Sequence, residues 1–133
     1  MKLVEIEGIG PVNAEKLTTA GVASVAALLE AGSTPKGRKE LAAKADVSEK
    51  LILEWVNHAD LFRIKGVGSE YADLLEAAGV DTVVELAGRK PENLIQKMSE
   101  VNAAKKLVRQ LPTEKQVADW VDQAKALPRV INY

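Results

Sequence analysis

Two short stretches carry residue types at a spacing from which chemistry can be built. Residues 6–17 read IEGIGPVNAEKL and residues 64–75 read IKGVGSEYADLL. Each is an apolar residue, two glycines framing a second apolar residue, and then a helix-like run. Glycine lets the backbone turn tightly and lets another molecule approach it closely. The first N–H groups of a helix have no intrahelical partner and lie at the positive end of the helix dipole, so a glycine turn opening onto a helix is a ready anion site. The chemistry this spacing points to is capture of a phosphate by backbone amides. The competing reading of the same residues is a compact helix connection that binds nothing.

The elements that must position these turns recur with them. Residues 6–28 set over 64–86 pair Gly8 with Gly66, Gly10 with Gly68, Leu17 with Leu75, Gly21 with Gly79 and Leu28 with Leu86. Every shared position is apolar or glycine, so the repetition preserves packing. Trp55 and Trp120 match at a longer offset, which places about seven additional residues in the second copy, between 87 and 119.

No window alternates apolar and polar residues with period two, and the helix signals are dense, so the chain is expected to be all-α. Pro11 suits a first helical turn, and Gly21 and Gly79 stand where a C-terminal cap takes positive φ. The pattern predicts helices over 11–20 and 69–78, then shorter ones over 24–31 and 82–88. A further helix is predicted from Thr34-Pro35 through RKELAAKA, and another over AAKKLVRQL before Pro112. Thr82 with Glu85, Asp46 with Glu49, and Thr113 with Gln116 read as capping boxes. The last two would open helices bearing Trp55 and Trp120, whose apolar stripes are Leu51, Ile52, Trp55, Val56 and Ala59, and Val117, Trp120, Val121 and Ala124. The expected architecture is two tandem units, 1–61 and 62–133, packed into one compact helical body.

The 133 residues are 47% hydrophobic, enough for a real core, and 18 basic side chains nearly cancel 19 acidic ones. Any attraction to nucleic acid must therefore be local rather than global. The absence of cysteine removes disulfides, thiolate nucleophiles and cysteine metal sites. The N-terminus lacks the apolar core of a signal peptide and no apolar run is long enough to span a membrane, so a cytoplasmic location without membrane contact is expected.

The two glycine stretches closely resemble the helix-hairpin-helix motif. That resemblance implies turn glycines and free amides that hold a nucleic-acid phosphate without reading bases. On it, Gly8, Ile9, Gly10 and Val12 would line one site and Gly66, Val67, Gly68 and Glu70 the other, with Lys16, Arg63 and Lys65 supplying nearby charge. Paired hairpins of that kind grip both strands across a minor groove. Over nearly its whole length, including GVGSEYADLLEAAGVDTVVEL and both tryptophan segments, the chain is similar to the bacterial family of unknown function DUF4332, described as helix-hairpin-helix-like. That likeness implies a fold and no activity. This sequence departs from the DNA-binding pattern where a lysine or arginine follows the second glycine by two residues, because Val12 and Glu70 stand there. A carboxylate at a helix N-terminus satisfies the dipole itself and repels phosphate.

Other signals favour packing. ELAAKADVSEKLILEWV resembles a helix-turn-helix, but Ser48, Glu49, Lys50, Leu53 and Glu54 make a poor surface for reading DNA. Lys97, Lys105, Lys106 and Arg109 form one basic cluster and Lys36, Arg38 and Lys39 another, each read first as a solvated helix face. Trp55 and Trp120 are read as core anchors, and His58, the single histidine, as a surface or helix-end residue. No catalytic residue, metal site or cofactor is expected. The leading expectation is a non-enzymatic module contacting nucleic-acid backbone, and the alternative is a protein-interaction or scaffolding domain. Neither the partner nor the oligomeric state is legible.

Overall fold

The computed structural model describes residues 2–133, and among them there are eight α-helices and no strand. The chain divides into two compact units, Met1–Asp60 with Val130–Tyr133, and Leu61–Arg129. No helix among the described residues is long and apolar enough to cross a membrane.

Unit 1 begins with a 3-10 turn, Leu3–Glu5, followed by α1 (Pro11–Thr19), α2 (Val25–Ala31), α3 (Pro35–Ala45) and α4 (Glu49–Leu61), whose last residue already counts with unit 2. Helix α1 ends as its glycine predicts: Gly21 takes φ +96°, its N–H donates to the Thr18 carbonyl, and the Val22 N–H donates to that of Leu17. These two bonds satisfy carbonyls that the helix end would leave orphaned. Ser24 and Thr34 cap α2 and α3 by accepting from the N–H of Ala27 and Gly37 at 3.1 and 3.0 Å. The Asp46–Glu49 capping box does not form. Asp46 instead ends α3 in the left-handed region at φ 56°, and Ser48 caps α4 by accepting from the Leu51 N–H. Asp tolerates that conformation better than most residues, which lets the chain reverse within a few residues.

Helices α1 and α2 both pack on α3. Ile6, Leu17, Leu28, Ile52 and Val56 are almost wholly buried in this unit, each contributing roughly 1.5–3 kcal/mol of hydrophobic stabilisation. The stripe of α4 is narrower than its spacing suggests: Ile52, Trp55, Val56 and Ala59 are buried, whereas Leu51, at the stripe's edge, is 38% exposed. Leu53, expected to be exposed, is half-buried.

Unit 2 contains α5 (Ser69–Ala77), α6 (Val83–Ala87), α7 (Pro91–Lys105) and α8 (Glu114–Ala126). Gly79 closes α5 with the same pair of bonds, its own N–H to Glu76 and that of Val80 to Leu75. Thr113 and Gln116 form the predicted reciprocal box at the start of α8. At α6 only half of the predicted box is made. Thr82 accepts from the Glu85 N–H, but the Glu85 carboxylate accepts from Asp81 rather than from Thr82. The helix predicted over AAKKLVRQL is not there. Helix α7 stops at Lys105, Lys106 turns left-handed at φ 52°, and residues 107–112 run without helix. Asn102 sets this ending by bonding Val108 twice, its side-chain amide donating to the Val108 carbonyl and accepting from its N–H. Val108 can then enter the core, where α6 and α7 pack on α8 and α5 packs on α7.

Candidate nucleic-acid interface

The two glycine turns have the same internal geometry. The Ile9 N–H donates to the Ile6 carbonyl at 3.1 Å, and the Val67 N–H donates to that of Ile64 at 3.2 Å. Gly8 and Gly66 occupy the third position of these turns at φ +90° and +96°, which a type II turn reserves for glycine. The apolar residues between the glycines face inward, with Ile9 3% and Val67 4% exposed. Their amides already serve the turn, so Ile9 and Val67 shape it rather than offering donors. Over each turn lies a buried tryptophan: a Cβ on Gly8 would sit 3.6 Å from Trp55 Nε1, and one on Gly66 only 3.0 Å from Trp120 Nε1. The aromatic rings are thus core anchors, each 2% exposed, and the flat glycine backbone is what lets them close over the turn.

Gly10 and Gly68 are the N-caps of α1 and α5, in extended conformation, with no side chain capping either helix. By contrast, hydroxyls cap α2, α3, α4, α6 and α8. The space in front of both glycines is open, with nothing within 4 Å of an added Cβ. Uncapped N–H groups facing open space can donate to an anion's oxygens.

The side chains around the turns differ. Val12 is 68% exposed on the first turn of α1, and Glu70 is exposed on the first turn of α5. Lys16 is half-buried and its Nζ donates to the Asp46 carbonyl at 3.3 Å. Arg63 donates to the Pro128 carbonyl at 2.7 Å. Lys65 leaves its side chain exposed while its backbone is clamped by Gln123, which accepts from the Lys65 N–H at 2.8 Å and donates to its carbonyl at 3.1 Å. Sequence reasoning missed Gln123; the signal was a polar residue set beside the apolar stripe of α8 and matched to His58 in the repeat. His58 itself is buried, 5% exposed in the last turn of α4, and not on the surface.

The two basic clusters are kept only in part as helix faces: Lys36 and Lys39 on α3, and Lys97 and Lys105 on α7, are exposed, whereas Arg38 and Arg109 leave those faces. Arg38 is 7% exposed and structural: it donates to the carbonyls of Gly32 and Asn132, both at 2.9 Å, and its guanidinium lies 5.8 Å from the Tyr133 ring. It thereby ties Val130–Tyr133 to unit 1. Arg109 falls beyond the end of α7, apart from the helix that carries Lys97 and Lys105.

Gly66 and Gly68 should respond differently to alanine. Gly66→Ala combines positive φ with a close approach to a rigid indole, so it is expected to cost about 2–3 kcal/mol. Gly68→Ala meets no neighbour at φ −100°, so its cost should stay below about 1 kcal/mol, the difference between the two residues at an N-cap. Urea unfolding of both variants measures this; equal midpoints would refute the packing of Trp120 on the turn.

An all-helical chain of two units, each opening on a tryptophan-covered glycine turn, is the class of protein that this geometry defines. The model of the domain of unknown function DUF4332 matches residues 7–127, and the chain belongs to that family. Comparison with curated proteins and with solved structures gives no match.

Proposed function

We propose that the protein is a non-enzymatic module of two tandem helix-hairpin-helix units, residues 1–61 and 62–133, that contacts nucleic-acid backbone without reading sequence. The observation that carries this reading is the pair of matched glycine turns opening onto helix starts that no side chain caps and nothing in the fold obstructs. Gly8 and Gly66 set the turns, and the amides from Gly10 and Gly68 into the first helical turns meet phosphate oxygens. The exposed Lys65 supplies charge at the second turn. Lys16 and Arg63 contribute field more than contact, because backbone carbonyls already hold them.

Fluorescence anisotropy of labelled duplex DNA, titrated over several salt concentrations, tests this. Phosphate neutralisation requires log K to fall linearly with log salt, by about 0.9 per duplex phosphate. Lys65→Glu and Gly68→Ala are expected to weaken binding while leaving the fold intact. The second reading, a protein-interaction domain, is favoured by one observation: the first helical turn after Gly10 presents an apolar Val12 that is 68% exposed. Absence of DNA binding even at low salt would displace the first reading in favour of that one.

A further inference from the structure

Away from the glycine turns, unit 2 carries a surface cavity of about 280 Å³ along the turn after α6 and the start of α7, lined by Gly88, Arg89, Lys90, Asn93, Leu94 and Lys97. We propose that this cavity binds a phosphate group. Lys90, Asn93, Leu94 and Lys97 recur at the spacing of a single helix face. The buried Leu94 forms the floor and the polar side chains form the walls. Arg89 reaches the wall from the turn that leaves α6, where its backbone N–H donates to the Leu86 carbonyl. One guanidinium nitrogen is fixed on the Gly79 carbonyl at 2.9 Å. That bond orients the planar fork, whose other N–H groups remain to take an oxyanion.

The charge of the lining sets this cavity apart. It gathers three cations and no carboxylate, and Glu92 of the same helical turn is not part of it. Two other cavities of the same volume each pair their lysines with a glutamate, Glu40 in one and Glu15 in the other. Like charges brought together without a counter-charge repel, and a bound anion removes that repulsion. Three cations and an amide match a tetrahedral oxyanion of high charge with several acceptor oxygens. The space accommodates a phosphate and little more, because pockets for larger ligands begin near 300 Å³. Two sources share this chemistry, a nucleic-acid strand and a small phosphorylated molecule. The site does not depend on the hairpin reading: it lies beyond the opposite end of α5, roughly 15 Å along that helix from Gly68.

Backbone NMR of the full chain titrated with inorganic phosphate tests the proposal, with acetate at matched ionic strength as control. The amides of Gly88, Arg89 and Asn93 are expected to shift and saturate with phosphate but not with acetate. Lys97→Gln, at an exposed position, should raise the apparent Kd about fivefold or more while leaving the remaining spectrum unchanged. Equal shifts with acetate, no saturation, or an unaltered Kd in Lys97→Gln would overturn it. A second titration with a short DNA duplex identifies the source. Competition at these amides assigns the phosphate to a nucleic-acid strand, and phosphate binding without competition assigns it to a small molecule; both outcomes uphold the site. Failure of the hairpin reading is read separately, at the amides of Gly10 and Gly68.

Discussion

Gly37→Ala is expected to lower the melting temperature by roughly 10–20 °C, the equivalent of about 3 kcal/mol in a domain of this size. Gly37 lies in the first turn of α3, where its N–H donates to the Thr34 hydroxyl. A Cβ there would stand 2.2 Å from the Ala31 carbonyl oxygen and 3.2 Å from Thr34 Oγ1. The first distance is far inside van der Waals contact, and the obstructing atom is backbone, which cannot rotate away. Accommodation requires α3 to move off the end of α2, which opens the core beneath them. Helix propensity predicts the opposite sign, since alanine is favoured over glycine in a helix by about 1 kcal/mol. Thermal denaturation followed by circular dichroism therefore separates local preference from tertiary contact. A variant as stable as the parent, or more so, would show that α2 and α3 do not approach in this way.

Trp120→Ala should destabilise unit 2 by about 3–5 kcal/mol, the range for deleting a buried aromatic side chain. Trp120 is 2% exposed and belongs to the stripe of α8 that closes the core. Its ring lies 5.2 Å from that of Tyr71 in a tilted arrangement, and its Nε1 covers the Gly66 turn. Removing it takes away apolar burial, an aromatic contact and the cover of the second glycine turn together. Trp120→Phe should fall between, keeping a ring beside Tyr71. The chain has two tryptophans, so in Trp120→Ala the fluorescence of Trp55 reports unit 1 alone, while circular dichroism in urea follows both units. Unchanged unfolding would mean that Trp120 is not the anchor of the unit 2 core.

Most helices were legible because their signals are local. Pro11, Thr34, Thr113, Gly21 and Gly79 act within one or two turns of their own position, and the structure uses each at a helix end. The stripe of α8 was legible for the same reason: spacing within one helix decides which side chains share a face. The failures occurred where two local solutions competed. Asp46 offered a cap to α4 but ends α3 instead, with Ser48 taking over the cap. The run AAKKLVRQL suits a helix by composition, yet Asn102 and the burial of Val108 halt α7 within it.

Of the candidate interface, the turns themselves could be read from the chain, because glycine at fixed spacing has few conformational alternatives. What the surrounding side chains do could not. Ile9 and Val67 turn inward, Lys16 and Arg63 are held by carbonyls, and Gln123 clamps Lys65 from 58 residues away. A lysine's or glutamine's partner is chosen by whichever backbone arrives beside it, and that depends on packing.

The sequence by itself determined an all-helical chain, most of its helix ends and its paired glycine turns, since each follows from contacts within a few residues. Tertiary structure alone decided that Gly37 admits no side chain, that Arg38 ties down the C-terminal residues, that His58 is buried, and that Arg89 joins Lys90 and Lys97 around a cavity. Each of these depends on atoms distant in the chain meeting at ångström range. Local preference carries no information about such meetings.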